Sequence, residues 1–574
     1  MPSEQRVIDN SYRKPLIVQS DRTIFLEVDH PDFEDIRNRL MEFAELEKSP
    51  EHVHIYRITP ISLWNAAAAG SSAESILEFL NETSRYPIPS TIRKEIQDNL
   101  DQFGKIRLVR KDNDEMRLVS DHPTIITEIA HQKHLREYFA NLSADPSEAV
   151  DDLIVRPEYR GQVKLALIKL GFPVEDLAGY RQGKDFSINF DLESGFGLRP
   201  YQQSAVDAFY AKGHVTGGSG VVVLPCGAGK TIVGLGAMEK IGSYTLILTT
   251  NHTALRQWRR ELLEKTQLGE DDIGEYSGEV KRIRPITLTT YSILTYRKSK
   301  TEGFHHFHLF SEQPWGLIIY DEVHLLPAPV FRFTAELQST RRLGLTATLV
   351  REDGKEDEVF SLIGPKKYDL PWRSLEHDGW IAEAGCVEIR VDLEDADRST
   401  YVVSSNRQKF RIASENAKKL EVVRYLIEEH ENDLVLVIGQ YINQLRDLQK
   451  NIGAPLITGK TPNKEREVLY GQFRRGEIKV LIVSKVGNFA VDLPNANVAV
   501  QISGTFGSRQ EEAQRLGRIL RPKENGGPAI FYSLVTKNTR DQEFAQKRQL
   551  FLTEQGYKYD IREANTSDHI SRNL

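Results

Sequence analysis

A phosphate-binding loop is the first chemical feature of the sequence, at residues 221–231 (VVVLPCGAGKT). Its apolar start predicts a buried strand, its small residues predict a loop, and the pattern after Lys230 predicts a helix. Backbone N–H groups of such loops and the following helix N-terminus bind anions. We expect Lys230 to reach the β- and γ-phosphates of ATP and Thr231 to ligate Mg²⁺, although Leu224 replaces the first glycine of the strict pattern. The other residues expected to contact the nucleotide are Pro225, Cys226, Gly227, Ala228 and Gly229.

Two acidic residues, Asp321 and Glu322, end a second apolar run at residues 315–324 (WGLIIYDEVH). Such a run predicts a strand whose carboxyl end lies at the ligand-binding edge of a parallel sheet. Asp321 would hold Mg²⁺, directly or through water, because this hard cation prefers oxygen ligands. Glu322 would orient and deprotonate the attacking water. Two acids at a strand end are common, but together with the phosphate loop they predict nucleotide hydrolysis.

Two arginines, Arg518 and Arg521, supply a third part of this chemistry. Their i, i+3 spacing places both on one face of a predicted helix. A guanidinium contributed by a second domain would stabilise the charge that spreads over the γ-phosphate during transfer. The alternative is the basic end of a solvated helix, which would be preferred without the other motifs.

The DEVH residues at 321–324 resemble the DExH box of superfamily 2 helicases, and four other segments occur in that superfamily's order. They are residues 198–202 (LRPYQ), 345–348 (LTAT), 484–492 (SKVGNFAVD) and 514–521 (QRLGRILR). The resemblance implies that Arg199 packs on adenine, that Gln202 hydrogen-bonds its edge, and that Asp492 also contacts the nucleotide. It implies that Thr346 and Thr348 couple hydrolysis to domain motion. In the last segment Gln514 joins the two arginines, and Ala490 replaces a glycine that many members carry.

Residues 349–353 (LVRED) narrow the resemblance to XPB-type helicases, which open DNA in nucleotide-excision repair and transcription initiation. The match covers roughly residues 195–540 and implies that Arg351, Glu352 and Asp353 help to separate strands. A plain charged surface loop is the alternative reading. The motif matches also predict contacts to the nucleic-acid backbone, from Thr250, Thr290 and Ser484. On the helix after Thr250, we expect Trp258 to pack in the core rather than to stack on a base.

The function implied by this resemblance is that of an ATP-dependent DNA helicase that requires Mg²⁺, moves 3′→5′ and acts in DNA repair. Two alternatives remain open at this point. One is a double-stranded DNA translocase that remodels protein–DNA complexes. The other is an ATP-controlled clamp that recruits a nuclease or a transcription partner.

Charge is distributed unevenly along the 574 residues. Residues 1–190 carry 24 Lys and Arg against 32 Asp and Glu, whereas the remainder carries 51 against 50. The acidic first part therefore suggests protein contacts or autoregulation, and DNA affinity in the rest must come from local basic positions. Two cysteines and no long apolar run favour a cytoplasmic protein without a structural metal or a membrane segment. Without a heptad repeat, a monomer is expected.

The predicted fold class is α/β, with two tandem RecA-like doubly wound parallel-sheet motor domains preceded by smaller α+β domains. The segments are predicted as an accessory domain at 1–110, a small module at 111–190 that would correspond to the family's damage-recognition domain, motor domain 1 at 191–370, a connecting segment with a short thumb at 371–415, motor domain 2 at 416–540, and a tail at 541–574.

Overall fold

A computed structural model of the chain contains, among its described residues, two four-stranded and two eight-stranded sheets. The described residues are 14–50, 52–111, 115–142, 150–191, 197–225, 227–297, 305–306, 308–327, 329–330, 334, 337–338, 340–347, 356–370, 372–380, 384–484, 496–504, 529–554, 557–564 and 571–572. Contacts group the chain into two units, residues 1–223 with 229–369 and residues 224–228 with 370–574.

The first small sheet, of order β1-β2-β4-β3, is antiparallel. Its strands are β1 (Leu16–Val18), β2 (Thr23–Glu27), β3 (Glu45–Lys48) and β4 (Val53–Arg57), and its helices are α1 (Phe33–Leu40), α2 (Pro60–Ala68), α3 (Ala73–Thr83) and α4 (Ser90–Gln102). Helix α2 starts at a capping box between Thr59 and Ser62, with Pro60 in its first turn. Gly70, at φ +95°, follows its end, as glycine often does after a helix.

The second small sheet has the order β7-β6-β5-β8. Its elements are β5 (Ile106–Arg110), β6 (Met116–Ser120), β7 (Leu153–Val155), β8 (Val174–Leu177), α5 (Pro123–Ala130) and α6 (Arg160–Lys169). The sequence placed the boundary between the two small domains at residue 111. Strand β5 pairs with β6 along its whole length, so the second small sheet begins before that boundary. The correction arises because hairpin pairing, which the local pattern does not show, ties β5 to the strands that follow it.

The first large sheet has the order β12-β11-β13-β10-β14-β15-β9-β16 and is parallel except at its β12 edge. Its strands are β9 (Ser219–Val223), β10 (Thr245–Thr249), β11 (Ile273–Tyr276), β12 (Lys281–Arg282), β13 (Ile286–Thr290), β14 (Leu317–Asp321), β15 (Arg341–Thr346) and β16 (Lys366–Asp369). Its helices are α7 (Pro200–Tyr210), α8 (Lys230–Ile241), α9 (His252–Lys265), α10 (Tyr291–Leu294), α11 (Leu309–Glu312) and α12 (Glu356–Leu362). Strands β9, β10 and β13 are buried at every residue, as expected for a sheet covered on both faces.

The second large sheet has the order β19-β20-β18-β21-β22-β17-β23-β24. Its strands are β17 (Ala384–Val391), β18 (Val435–Gly439), β19 (Leu456–Ile457), β20 (Val480–Ser484), β21 (Val498–Gln501), β22 (Ala529–Thr536), β23 (Tyr559–Glu563) and β24 (Ser571–Arg572). Its helices are α13 (Trp372–His377), α14 (Asp395–Val403), α15 (Asn406–Ser414), α16 (Lys418–Glu429), α17 (Ile442–Ile452), α18 (Asn463–Arg474) and α19 (Arg540–Glu554). The predicted pair of doubly wound α/β domains after smaller α+β domains is confirmed.

Two segment assignments differ from the structure of this second sheet. Strand β17 lies within the predicted connecting segment, yet it pairs in parallel with β22 and β23. Strand β23 lies within the predicted tail, yet it is a member of the same sheet. Both strands pair with strands that are distant in the sequence, so the local amino-acid composition did not indicate that they belong to this sheet. Helices α13, α14 and α15 also lie in the connecting segment, where a short thumb stays a prediction.

Among the described residues, no helix combines the length and the apolar character needed to cross a lipid bilayer.

Candidate nucleotide-hydrolysis site

The phosphate loop connects buried β9 to helix α8, as the sequence predicts. Gly227 has φ +84° and Gly229 has φ +80°, both in the left-handed region that favours glycine. Gly229 caps α8, and a Cβ placed there would lie 2.5 Å from Nε2 of Gln202. A larger residue at 229 would therefore be excluded by both backbone and packing. The loop backbone remains open to close approach by an anion, since glycines present no side chain.

Gln202 is buried in the first turn of α7 and lies against this loop. Its Oε1 accepts a hydrogen bond from the backbone N–H of Arg199 at 3.0 Å. The guanidinium of Arg199 donates to the hydroxyl of Tyr201 at 3.2 Å. The structure thus brings Gln202 to the phosphate loop and holds Arg199 beside it, while their contacts to adenine remain predictions.

Lys230 and Glu322 meet at the carboxyl edge of the first large sheet. The distance from Nζ of Lys230 to Oε1 of Glu322 is 3.7 Å, and both side chains are mostly buried. Glu322 has φ +50°, which is unfavourable for a residue with a side chain and costs on the order of 1–3 kcal/mol. The surrounding structure holds Glu322 in this conformation, which aims its carboxylate toward the lysine at the start of α8.

Asp321, the last residue of β14, is held from two sides. The indole N–H of Trp258 donates to Oδ2 of Asp321 at 3.1 Å, and the hydroxyl of Tyr291 donates to its backbone carbonyl at 2.8 Å. Burial and the neighbouring Glu322 carboxylate raise the pKa of Asp321 to about 6. Asp321 therefore carries a charge that its neighbours compensate only in part.

Sequence reasoning placed Trp258 correctly in the core, where it is 1% exposed, but missed its hydrogen bond to Asp321. A buried indole N–H usually has a hydrogen-bond acceptor, so the predicted burial of Trp258 already implied a polar partner in the core. The ring also presses on helix α8, because a Cβ at Gly234 would lie 2.4 Å from the indole. Trp258 thereby connects α9, α8 and the end of β14.

His324 links the DEVH segment to the LTAT segment. Its Nδ1 lies 2.6 Å from Oγ1 of Thr346, and both residues are buried. The same nitrogen lies 3.5 Å from Oε2 of Glu322. A shift of Glu322 would therefore move His324 and, through it, Thr346 of β15, and a shift of β15 would act in the reverse direction. This contact is a physical basis for the coupling role predicted for Thr346.

The donor set fits a nucleotide with a hard divalent cation. Oε2 of Glu322 is buried without a hydrogen-bond partner within the described residues, and the Asp321 carboxylate accepts one from Trp258. Thr231 follows Lys230 in the first turn of α8. Carboxylate and hydroxyl oxygens are suitable ligands for Mg²⁺, and Lys230 with the glycine loop suits phosphate oxygens.

A second group of side chains follows the neighbouring strands β10 and β13. Thr249 pairs with Thr290 in register, so the ends of these strands lie side by side. The amide of Asn251 donates to Oγ1 of Thr250 at 3.1 Å, while its Oδ1 caps α9 by accepting from two backbone N–H groups. Thr250 thus lies at a helix N-terminus, a favourable position for a phosphate, and Thr290 lies at the end of the adjacent strand.

Ser484, the predicted nucleic-acid contact in the second unit, ends β20 beside Gly439 of β18. It is buried, and its hydroxyl has no hydrogen-bond partner within the described residues. The remaining predicted site residues lie outside the described residues. They are Cys226, Thr348, Arg351, Glu352, Asp353, Asp492, Gln514, Arg518 and Arg521.

Three protein families match parts of the chain. The family described as ERCC3/RAD25/XPB C-terminal helicase matches residues 375–573. A helicase conserved C-terminal domain matches residues 16–143, and the type III restriction enzyme res subunit matches residues 195–351.

Related proteins match over nearly the whole chain. The DNA 3′-5′ helicase XPB of Mycobacterium tuberculosis is 53% identical over 96% of this chain and 98% of its own length. The DNA 3′-5′ helicase XPB of Kineococcus radiotolerans is 52% identical over 96% and 97%. The general transcription and DNA repair factor IIH helicase/translocase subunit XPB of Antonospora locustae is 34% identical over 97% and 83%.

Proposed function

This chain belongs to the XPB family of DNA helicases, and we propose that it hydrolyses ATP at the site around Lys230, Asp321 and Glu322 to move along DNA in the 3′→5′ direction and open it. The family membership makes it an ATP-driven DNA helicase. The observation that carries the assignment of the site is the approach of Lys230 and Glu322 to 3.7 Å beside two glycines with positive φ.

Each side chain has a role that follows from its position. Lys230 balances the charge of the β- and γ-phosphates, and Glu322 accepts a proton from the attacking water. Thr231 and Asp321 would hold Mg²⁺, which when bound neutralises phosphate charge. Arg518 and Arg521, with Gln514, would stabilise the transferred phosphoryl group from the second motor domain.

Coupling between DNA and ATP would pass through helix α9. Thr250 lies at the N-terminus of this helix, where a DNA phosphate would bind, and Trp258 lies two turns further on. A movement of α9 would change the hydrogen bond from Trp258 to Asp321, which is 3.1 Å long. The His324–Thr346 contact provides the corresponding link to β15. We assign Trp258 and His324 as positioning residues for the two acids.

Strand opening is assigned to Arg351, Glu352 and Asp353, and the biological setting to DNA repair with a nuclease or transcription partner. Double-stranded DNA translocation without strand opening is the second candidate, because the Antonospora locustae relative is named a helicase/translocase. Arg351→Ala separates the two. A helicase that uses Arg351 loses unwinding of forked DNA and keeps DNA-stimulated ATP hydrolysis. A translocase without strand opening does not unwind forked DNA even as the wild type, and it keeps DNA-stimulated hydrolysis in the variant.

Steady-state ATP hydrolysis with single-stranded, forked and duplex DNA tests the proposed site. Glu322→Gln keeps the size of the side chain and removes the base, so we expect at least about a 100-fold loss of turnover. Glu279→Gln, at an exposed position of the same unit, is the matched control and should retain turnover. Full DNA-stimulated hydrolysis in Glu322→Gln would refute the role of Glu322.

A further inference from the structure

A cavity of about 110 Å³ lies among the three folded parts of the first unit. Ala68 and Phe103 contribute from the first small-sheet domain, residues 164–180 from the second, and residues 216–219 and 360–367 from the first motor domain. Its polar lining consists chiefly of Lys164, Glu175, Asp176, Tyr180, Ser361 and Lys367. None of these residues belongs to the nucleotide-hydrolysis site, so the cavity needs its own explanation.

Positive charge exceeds negative charge around this cavity. Arg160 binds Asp176 through two nitrogens at 2.7 and 3.1 Å, and Nζ of Lys164 binds the same carboxylate at 2.9 Å. A third buried cation, Arg342, donates at 2.8 Å to the hydroxyl of Ser219 in the cavity wall, and its other hydrogen bonds go to neutral backbone carbonyls rather than to a carboxylate. One carboxylate therefore serves two cations directly while a third lies beside them. Buried charges in excess of their partners are costly, so a ligand of opposite charge would be stabilised.

Lys367 is a fourth cation, and an irregularity of strand β16 directs its side chain toward the cavity. Strand β16 shifts register against β9 between Lys366 and Tyr368, so Lys367 is the extra residue of a bulge. A bulge re-aims the side chain at its extra residue. The Lys367 side chain crosses Gly220, where a Cβ would lie 2.4 Å from its Cγ, and its ammonium donates to the carbonyl of Thr216 at 2.9 Å.

Both lysines of the cavity wall have pKa values lowered mainly by burial. Burial lowers the pKa of Lys164 to about 8 and also lowers the pKa of Lys367. Of the two carboxylates in the wall, Asp176 is occupied by Lys164 and Arg160, which leaves Glu175 to face Lys367. The cavity thus has four cations and two carboxylates in or next to its wall.

Ser361 supplies an unused hydrogen-bonding group. It is 7% exposed and lines the cavity, and its hydroxyl has no hydrogen-bond partner within the described residues. Buried hydroxyls are normally paired, so this one indicates a missing acceptor or donor at the cavity.

We propose that this cavity binds a small oxyanion of the phosphate class, held by Lys164, Lys367 and the Ser361 hydroxyl. A cavity of roughly 150 Å³ accommodates a benzene molecule, so this slightly smaller space suits a compact ion rather than a whole nucleotide. The lining itself carries two lysines and two carboxylates, so the excess positive charge that favours an anion comes from Arg160 and Arg342 next to the wall. The ammonium and hydroxyl donors of the lining suit tetrahedral oxygens. Because its lining comes from all three folded parts, the bound anion would hold the amino-terminal domains against the motor domain.

Equilibrium dialysis of the full-length chain with radiolabelled inorganic phosphate tests the proposal. Lys230→Met is introduced throughout, so that the phosphate loop contributes no binding. We expect one phosphate per chain in this background and a loss of affinity of at least about tenfold when Lys367→Met is added. Lys366→Met is the matched control, because its ammonium pairs with Asp369 at 2.8 Å and is not part of the cavity lining, and it should change affinity less than about twofold.

A second variant, Ser361→Ala, keeps the experiment decisive if Lys367→Met fails to fold, and we expect it to weaken binding about threefold. Far-UV circular dichroism establishes that each variant is folded.

Competition by adenosine 5′-monophosphate would identify the ligand as a terminal phosphate of a larger molecule, and its failure to compete would identify free phosphate. Absence of phosphate binding in the Lys230→Met background, or unchanged affinity in both cavity variants, would overturn the proposal.

Discussion

Two aspartates have opposite electrostatic environments: Asp321, which is partly buried in the first unit, and Asp541, which is buried in the second. Asp541 is fully buried, accepts a hydrogen bond from Nζ of Lys419 at 2.6 Å, and lies 3.7 Å from Arg548. Burial alone would raise its pKa, but Lys419 and Arg548 hold it below the usual value. Burial and the neighbouring Glu322 carboxylate raise the pKa of Asp321 to about 6. Asp541 belongs to a buried structural ion pair, whereas Asp321 belongs to the site that we propose for a nucleotide.

The largest effect expected from this contrast is on stability at the Asp541 cluster. Lys419→Met leaves a buried carboxylate without its closest cation, so the free energy of unfolding should fall by about 3–5 kcal/mol. Urea titration followed by circular dichroism measures this change. Lys418→Met, at the partly exposed neighbouring position, should change stability by less than about 0.5 kcal/mol. Equal effects at both positions would remove the distinction between the two clusters.

Lys230→Met should affect activity instead of stability. Removing the cation of the phosphate loop should lower ATP turnover by at least about 100-fold, or about 2.7 kcal/mol of transition-state stabilisation. Lys240→Met, on the exposed part of the same helix, is the control and should retain turnover. Turnover is measured with forked DNA at saturating ATP, and a loss below tenfold in Lys230→Met would contradict the role of this lysine.

Trp258→Phe tests the proposed coupling between the DNA-binding end of helix α9 and Asp321. The substitution keeps an aromatic ring against Gly234 but removes the N–H that Asp321 accepts, so DNA-stimulated turnover should fall about three- to tenfold. Basal turnover without DNA should fall less. Trp315→Phe removes a comparable buried N–H, which donates to the carbonyl of Leu309, and is the matched control. If both variants lose stimulation equally, the effect is general packing rather than coupling.

The smallest expected effect is the change in the free energy of unfolding when each aspartate is replaced by asparagine, and its sign differs between the two positions. Asp321 has a raised pKa, so its ionised form destabilises the ligand-free fold above pH 6, and Asp321→Asn should raise the free energy of unfolding by about 1 kcal/mol at pH 8. This gain should shrink as the pH falls below about 6, and it should vanish only below about 4, where the unfolded carboxyl is protonated as well. Asp541 has a lowered pKa, so Asp541→Asn should lower stability at pH 8, and that loss should shrink only as the pH falls below about 4. Urea titrations at pH 8, 6 and 4 measure both, and stabilisation by Asp541→Asn would break the comparison.

The approach of Lys230 to Glu322 could be predicted from sequence because each motif is short and continuous. Lys230 follows a strand and a small-residue loop, and Glu322 follows an apolar run, so their meeting at one sheet edge needs only the parallel-sheet rule. The contacts of Trp258 with Asp321, and of His324 with Thr346, join residues 63 and 22 positions apart, and no local pattern encodes them. Sheet membership was missed for the same reason, since β17 pairs with strands more than a hundred residues later.

Helix α8 has a further consequence for how the chain reaches its native state. Its interior contains Gly234 and Gly236, whose missing side chains leave room for Trp258 and for Val206 with Leu198. Each glycine lowers intrinsic helix stability by about 1 kcal/mol relative to alanine, so α8 is a weak helix on its own. Its order must come from neighbours that are already assembled. We expect α8, and with it the phosphate loop, to gain structure late in folding, after α7, α9 and the sheet have formed the surface on which it packs.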